Sequence, residues 1–103
     1  GLAPLERVHR PTGQAGHAGT TPMPLRRDAL CAAAELTLAA ETCGITATVG
    51  QLAVEPGASN VIPGRAVLTL DLRDARDARR VAAVTRLKRQ AEAIAKRRRL
   101  HLE

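Results

Sequence analysis

Residues 66–73 read AVLTLDLR, and the alternation in that stretch decides the fold. Leu68, Leu70 and Leu72 fall on one face of a strand while Thr69, Asp71 and Arg73 fall on the other, the period of two that a half-buried strand requires. Just beyond it, Asp74 and Asp77 read as an N-cap and an acidic first turn. Val81, Val84, Leu87, Ala91 and Ile94 then recur at helical spacing and predict a second helix. On the other side of the quoted stretch, Ile45 to Glu55 reads as a strand with one defect. Ala47 and Val49 share a face, but after Gly50 the apolar positions become Leu52 and Val54, so the alternation slips by one. A bulge at Gly50 restores both pairs to the same face. Pro56-Gly57 and Pro63-Gly64 bracket the connection between these strands, which contains Ser59, Asn60, Val61 and Ile62.

Further outward, Leu25 to Cys43 is helical in pattern: Leu30, Ala34 and Leu38 recur at four-residue spacing and Gly44 supplies the stop. Gly13 to Met23 (GQAGHAGTTPM) is a loop on composition, with three glycines and a Thr-Thr-Pro. Residues 5–12 (LERVHRPT) read as a first strand in which Pro11 removes a ladder donor, and Leu100 and Leu102 flank His101 in a short last strand cut off at Glu103. The order strand–helix–strand–strand–helix–strand predicts an α+β fold, the ferredoxin-like βαββαβ sandwich: a four-stranded antiparallel sheet with two helices on one face.

Composition narrows the function classes. The 103 residues are 45% hydrophobic but contain no Phe, Tyr or Trp, so the core is built from Leu, Val, Ile and many Ala. Such a core buries little area per residue, which points to a supporting partner surface. The chain begins at Gly1 and its only methionine is Met23, so residues 1–103 are expected to be a single domain excised from a larger protein. No stretch approaches the roughly 18 apolar residues of a membrane span, and nothing reads as a signal peptide. Cys31 and Cys43, on one predicted helix, would lie about 18 Å apart, beyond disulfide reach; reduced thiols and a cytoplasmic setting are expected. The net charge of +6 is local, because residues 76–99 hold ten basic side chains against Asp77 and Glu92.

Three positions could carry chemistry. His17 sits on a glycine-rich loop, without side-chain walls, where an imidazole can reach a ligand and donate to a developing oxyanion; the plainer reading is a solvent-exposed loop histidine. Asn60 offers donor and acceptor from a turn, and is otherwise a turn residue. Arg73 presents a fork matched to a carboxylate, yet it shares a face with Asp71 and adjoins Asp74, the setting of a structural ion pair. His9, His17, His101, Cys31 and Cys43 show no metal-ligand spacing, and there is no His-x-Asp or paired-carboxylate motif.

GHAGTTPM (16–23) followed by LRRDAL (25–30), then VEPGASNVIPG (54–64) and LTLDLR (68–73), resembles the hydantoinase/carbamoylase family of N-carbamoyl-L-amino-acid hydrolases, allantoate amidohydrolases and β-ureidopropionases, within the aminoacylase-like zinc metallopeptidase superfamily. The resemblance runs from Gly13 to Arg73 and is weaker through the second helix. It implies that this chain is the small dimerisation, or lid, domain of an amidohydrolase acting on linear C–N bonds. Two zinc (or manganese) ions and the general base would belong to a separate catalytic domain. By the same resemblance, His17 would enter the partner subunit's site as oxyanion stabiliser, while Asn60 and Arg73 would bind the substrate's carboxylate. The implied partners are the chain's own catalytic domain, a second copy of itself and a small ureido or carbamoyl substrate, with no nucleic acid and no membrane. With no metal ligands of its own, the chain by itself is expected neither to bind catalytic zinc nor to hydrolyse anything.

Two other classes share the fold. A nucleic-acid-binding module would use the basic helix, but such modules stack bases on aromatic side chains, and this chain has none. A free-standing regulatory domain would have no evident use for the His17 loop.

Overall fold

The computed structural model describes the backbone of residues 5–9 and 11–103 and, from Gly13 onward, the side chains. The chain runs through β1 (Leu5–His9), β2 (Pro11–Thr12), β3 (Gly16–His17), a 3-10 turn (Met23–Leu25), α1 (Ala29–Glu41), β4 (Thr46–Glu55), β5 (Val61–Ile62), β6 (Arg65–Arg73), α2 (Asp77–Arg98) and β7 (His101–Leu102). The quoted strand, β6, is the organising element. It pairs antiparallel with β4 on one side and with β1 and β2 on the other, and β7 adds antiparallel to β2. The expected mix of two helices and antiparallel sheet is present. The expected first strand is described as β1 and β2, with Arg10 between them outside the described residues. A second, two-stranded sheet of β3 and β5 forms between two segments expected to be loops.

The bulge falls where the alternation slips. Ala47 and Val49 lie opposite Leu72 and Leu70, the register shifts between Val49 and Gln51, and Leu52 and Val54 then lie opposite Leu68 and Ala66. One extra residue thus keeps all four apolar side chains of β4 on the face that carries the β6 leucines. Gly50 is exposed, and a Cβ built there would meet nothing within 4 Å.

Both helices cover that face. Leu68, Leu70, Leu72 and Leu87 are at most 1% exposed, with Leu36 at 2%; each such burial contributes about 1.5–3 kcal/mol. The inward face of α1 is otherwise alanine, with Ala29, Ala32, Ala33 and Ala40 all buried. Small side chains let its backbone lie close on the leucines of the sheet, which is how a core without aromatic rings is closed.

Several local expectations are corrected. The helix spans Ala29–Glu41 rather than Leu25 to Cys43, because Asp28 caps it, accepting from the amides of Leu30 (2.9 Å) and Cys31 (3.3 Å). Cys43 therefore lies past the helix end; both cysteines are free thiols. The Leu30–Ala34–Leu38 recurrence lies on the outer face, with Leu38 65% exposed. Asp74 is not the cap of the second helix. It closes a turn by accepting from the Arg76 amide at 2.9 Å, and Arg76 takes the cap position with no side-chain bond. Val81 is likewise 65% exposed, and Ala83 and Ala95 take places on the buried face of α2. Gly44 is not the stop of the first helix, which ends at Glu41 with Thr42 as its C-cap; it lies two residues on, in the turn to β4, at a left-handed φ of 94°. Arg79 from α2 donates to the Gly44 carbonyl at 2.9 Å, tying that turn to the second helix.

Candidate functional site

The His17 loop is tied mainly by backbone groups. The His17 carbonyl accepts from the amides of Thr20 (3.3 Å) and Thr21 (3.2 Å) and from the Thr21 hydroxyl (3.0 Å). Arg26, half-buried, donates from Nη2 to the Ala18 carbonyl at 2.6 Å and from Nε to the Thr21 carbonyl at 3.1 Å. The loop is thus a closed knot around one guanidinium, and the exposed imidazole stands on its surface.

Asn60 belongs to the same place. Gly16 and His17 pair with Ile62 and Val61, and the Ala18 amide donates to the Asn60 carbonyl at 2.9 Å. The β3–β5 sheet therefore brings together two candidates that lie far apart in the sequence. The Gly64 amide bonds the Glu55 carbonyl at 2.9 Å, and the Ala29 amide bonds the Pro63 carbonyl at 3.0 Å. These bonds set the pair at the Arg65 end of β6.

Arg73 lies at the other end. Eight residue steps of strand separate it from Arg65, about 26 Å, so no small carboxylate can touch Arg73 and the His17–Asn60 pair of one chain together. Arg73 instead pairs through Nε and Nη2 with Asp71 at 3.1–3.3 Å, the ion pair that their shared face suggests. Arg73 is about half exposed, and it stands opposite Thr46 of β4.

Among the described residues no group of three or more His, Cys, Asp or Glu is placed to hold a metal ion. The donors of the described residues do not fit the two-metal centre that the resemblance assigns to a separate domain. His9, weighed above, has its side chain outside the described residues. The Cys31 thiol is pushed above its ordinary value by burial and by Asp28, which keeps it protonated and poorly nucleophilic. No helix among the described residues is long and apolar enough to cross a membrane.

The sequence does not single out Arg26 and Gly19. Both lie in or beside the blocks that carry the resemblance, but their roles come from contacts closed by the turn itself, and no residue spacing encodes these.

The description "Peptidase dimerisation domain" matches residues 9–99. The chain belongs to this family. It is 42% identical over 97 residues to a ureidoglycolate hydrolase of Arabidopsis thaliana, an alignment covering 87% of this chain and 20% of that protein. It is 45% identical over 95 residues to an N-carbamoyl-L-amino acid amidohydrolase of Geobacillus stearothermophilus, covering 87% of this chain and 23% of that protein. A solved hydantoinase/carbamoylase family amidase from Burkholderia ambifaria superposes with a TM-score of 0.95 at 35% identity, over 100% of this chain and 27% of that one. The chain thus spans roughly a quarter or less of the length of these relatives, which are named as hydrolases or amidases.

Proposed function

We propose that this dimerisation domain is the lid of a larger amidohydrolase cleaving linear carbamoyl or ureido C–N bonds, of the N-carbamoyl-L-amino-acid or allantoate kind. In this reading His17 donates to the oxyanion in the partner subunit's site, and Asn60 and Arg73 hold the substrate's carboxylate. The ground plan is the ferredoxin-like sandwich, with β1 and β2 counted as one of four strands. The two zinc or manganese ions belong, in this reading, to the catalytic domain; among the described residues no group of three or more His, Cys, Asp or Glu is placed to hold one. The two free thiols fit a cytoplasmic setting.

The observation that carries the reading is the separation along β6. One copy cannot bring His17 and Arg73 to the same small molecule, but two copies can. β4 is ten residues long and, among the described residues, pairs only with β6, leaving an open edge. Beside it runs the outer stripe of α1. Glu35, which binds Arg97 and Arg98, marks the flank of α1 that faces α2. Leu30 lies about 140° around the helix from it, toward β4. Exposed Leu30 and Leu52 thus border one edge suited to a second copy. Two-fold pairing of β4 edges is antiparallel, so the His17 end of one copy meets the Arg73 end of the other. The site is then composite: His17 and Asn60 from one subunit, Arg73 from its partner.

The basic helix does not need a polyanion in this reading. Arg79 and Arg86 donate to the Gly44 and Cys43 carbonyls, Arg80 binds Asp77, and Arg97 and Arg98 bind Glu35.

Mixed dimers test the proposal. In the parent enzyme, His17→Ala alone is expected to lower kcat by about 10²–10³, the usual cost of an oxyanion donor, and Arg73→Ala alone to impair activity by loss of the carboxylate fork. Co-expressing the two variants rebuilds one intact site in each heterodimer, so about a quarter of wild-type activity should return on random pairing. If both residues serve the same subunit's site, no heterodimer has an intact site. Absence of recovery, with heterodimers shown to form, would sink the composite site.

A further inference from the structure

The His17 imidazole has one contact that the oxyanion reading does not by itself require. The Gly19 amide donates to His17 Nδ1 at 3.0 Å. A neutral imidazole carries one donor and one acceptor nitrogen, and the bond at one fixes the state of the other. With Nδ1 accepting, the proton sits on Nε2, and the nitrogen directed away from the loop is a donor. A hydrogen on Nδ1 would instead face the Gly19 N–H, donor against donor.

We propose that the Gly19 amide, held in place by Arg26, is a tautomer lock that presets His17 as an Nε2–H donor. The proposal rests on the oxyanion reading for its purpose, but not for its geometry. Gly19 lies between the two carbonyls that Arg26 grips, Ala18 and Thr21. One side chain thereby fixes the backbone on both sides of the donating amide. The Thr20 and Thr21 amides and the Thr21 hydroxyl converge on the His17 carbonyl from the other direction, so the ring's own backbone is fixed as well. The fit at residue 19 is close: a Cβ there would stand 3.0 Å from His17 Cε1 and 3.3 Å from Nδ1. Only glycine keeps its amide beside the ring without pushing the ring away. An oxyanion hole depends on donors oriented before the charge develops, and an exposed loop histidine has no packing to orient it. Here the orientation comes from one amide and one guanidinium, which makes Gly19 and Arg26 positioning residues for the His17 donor.

The test is the state of the ring, read without catalysis. Long-range proton–nitrogen correlation on the uniformly labelled parent enzyme, at a pH where the imidazole is neutral, should show Nδ1 unprotonated and Nε2 protonated, with the Gly19 amide slow to exchange. In Arg26→Gln the ring should sample both tautomers and Gly19 exchange should rise about tenfold, the worth of one lost hydrogen bond. The β6 amide signals, unchanged, would report an intact fold. A wild-type ring protonated at Nδ1 overturns the lock, and needs no variant to be seen. An Arg26→Gln ring with unchanged tautomer and unchanged Gly19 exchange removes Arg26 from it. In the parent enzyme Arg26→Gln should lower kcat with KM little moved. If the lock is seen but His17→Ala leaves kcat intact, the oxyanion reading fails while the lock stands.

Discussion

The two ends of β6 hold their candidate residues by different means. At the Arg65 end, His17 and Asn60 are tied by backbone groups, through the β3–β5 pairing, the Ala18-to-Asn60 bond and the Arg26 knot. At the far end Arg73 is held by a carboxylate two residues away, on an exposed strand face. A backbone-tied group cannot be reoriented without breaking several bonds together. A side-chain pair between exposed groups exchanges partners at little cost. The first arrangement suits a donor whose position must be set in advance. The second suits a fork that releases Asp71 and takes up the carboxylate of a substrate.

The strand joining the two ends is the point at which the comparison can be broken outright. Leu70 lies mid-strand, 1% exposed, opposite Val49 of β4 and under the helices. Leu70→Ala should lower stability by about 2–5 kcal/mol, measured by urea unfolding, and both ends should lose their exchange protection together. If one end kept its protection while the other melted, the two would be separate cooperative units, and β6 would not be what couples them.

A smaller change tests the far end alone. Arg73→Lys keeps the charge but loses the planar fork. It should leave stability within about 0.5 kcal/mol of the wild type, as for an exposed pair. In the parent enzyme it should raise KM about tenfold with kcat little changed, the pattern of a group that binds substrate and transition state alike. A fall in kcat at constant KM would instead give Arg73 a role in the transition state and blur its contrast with His17.

The strands were readable for a physical reason. β6 alternates cleanly because one face is fully buried, and the slip at Gly50 shows because four apolar residues bracket it. α1 was harder. Apart from Leu36 its buried face is alanine, which contributes little to an apolar pattern, so Leu30 and Leu38 stand out on the side away from the core. The β3–β5 sheet could not be read, because two-residue strands have no alternation to detect. For the site, His17, Asn60 and Arg73 could be named from residue type and from the resemblance. That His17 and Asn60 meet, and that Arg73 does not join them, depends on long-range pairing that the sequence order leaves open. The Asp71–Arg73 pair was accessible, because period two puts residues 71 and 73 on one face.

The smallest expected effect sharpens the comparison from the side of pH. Glu35 on α1 binds Arg97 and Arg98 at the C-terminal end of α2. The adjacent Arg99 donates to the Pro24 carbonyl at 3.0 Å, so this clamp also steadies the segment leading out of the His17 loop. Burial pushes the Glu35 carboxyl up, but the hydrogen bonds and charges of Arg98 and Arg97 outweigh it and hold the group below the ordinary glutamate value. A carboxyl lowered by folding stabilises the native state fully above its unfolded value, about pH 4.3, and that contribution is lost as pH falls through the lowered folded value. Glu35→Gln should therefore be less stable than the wild type near neutrality, by no more than about 1 kcal/mol for a partly exposed pair. The two stability curves should converge on acidification, as protonation makes the wild-type side chain neutral too. Acid should also speed amide exchange around Met23–Leu25, the segment that this clamp steadies. A gap between the two proteins that persists unchanged into acid would mean that the Glu35 carboxylate is not what fastens the His17 end.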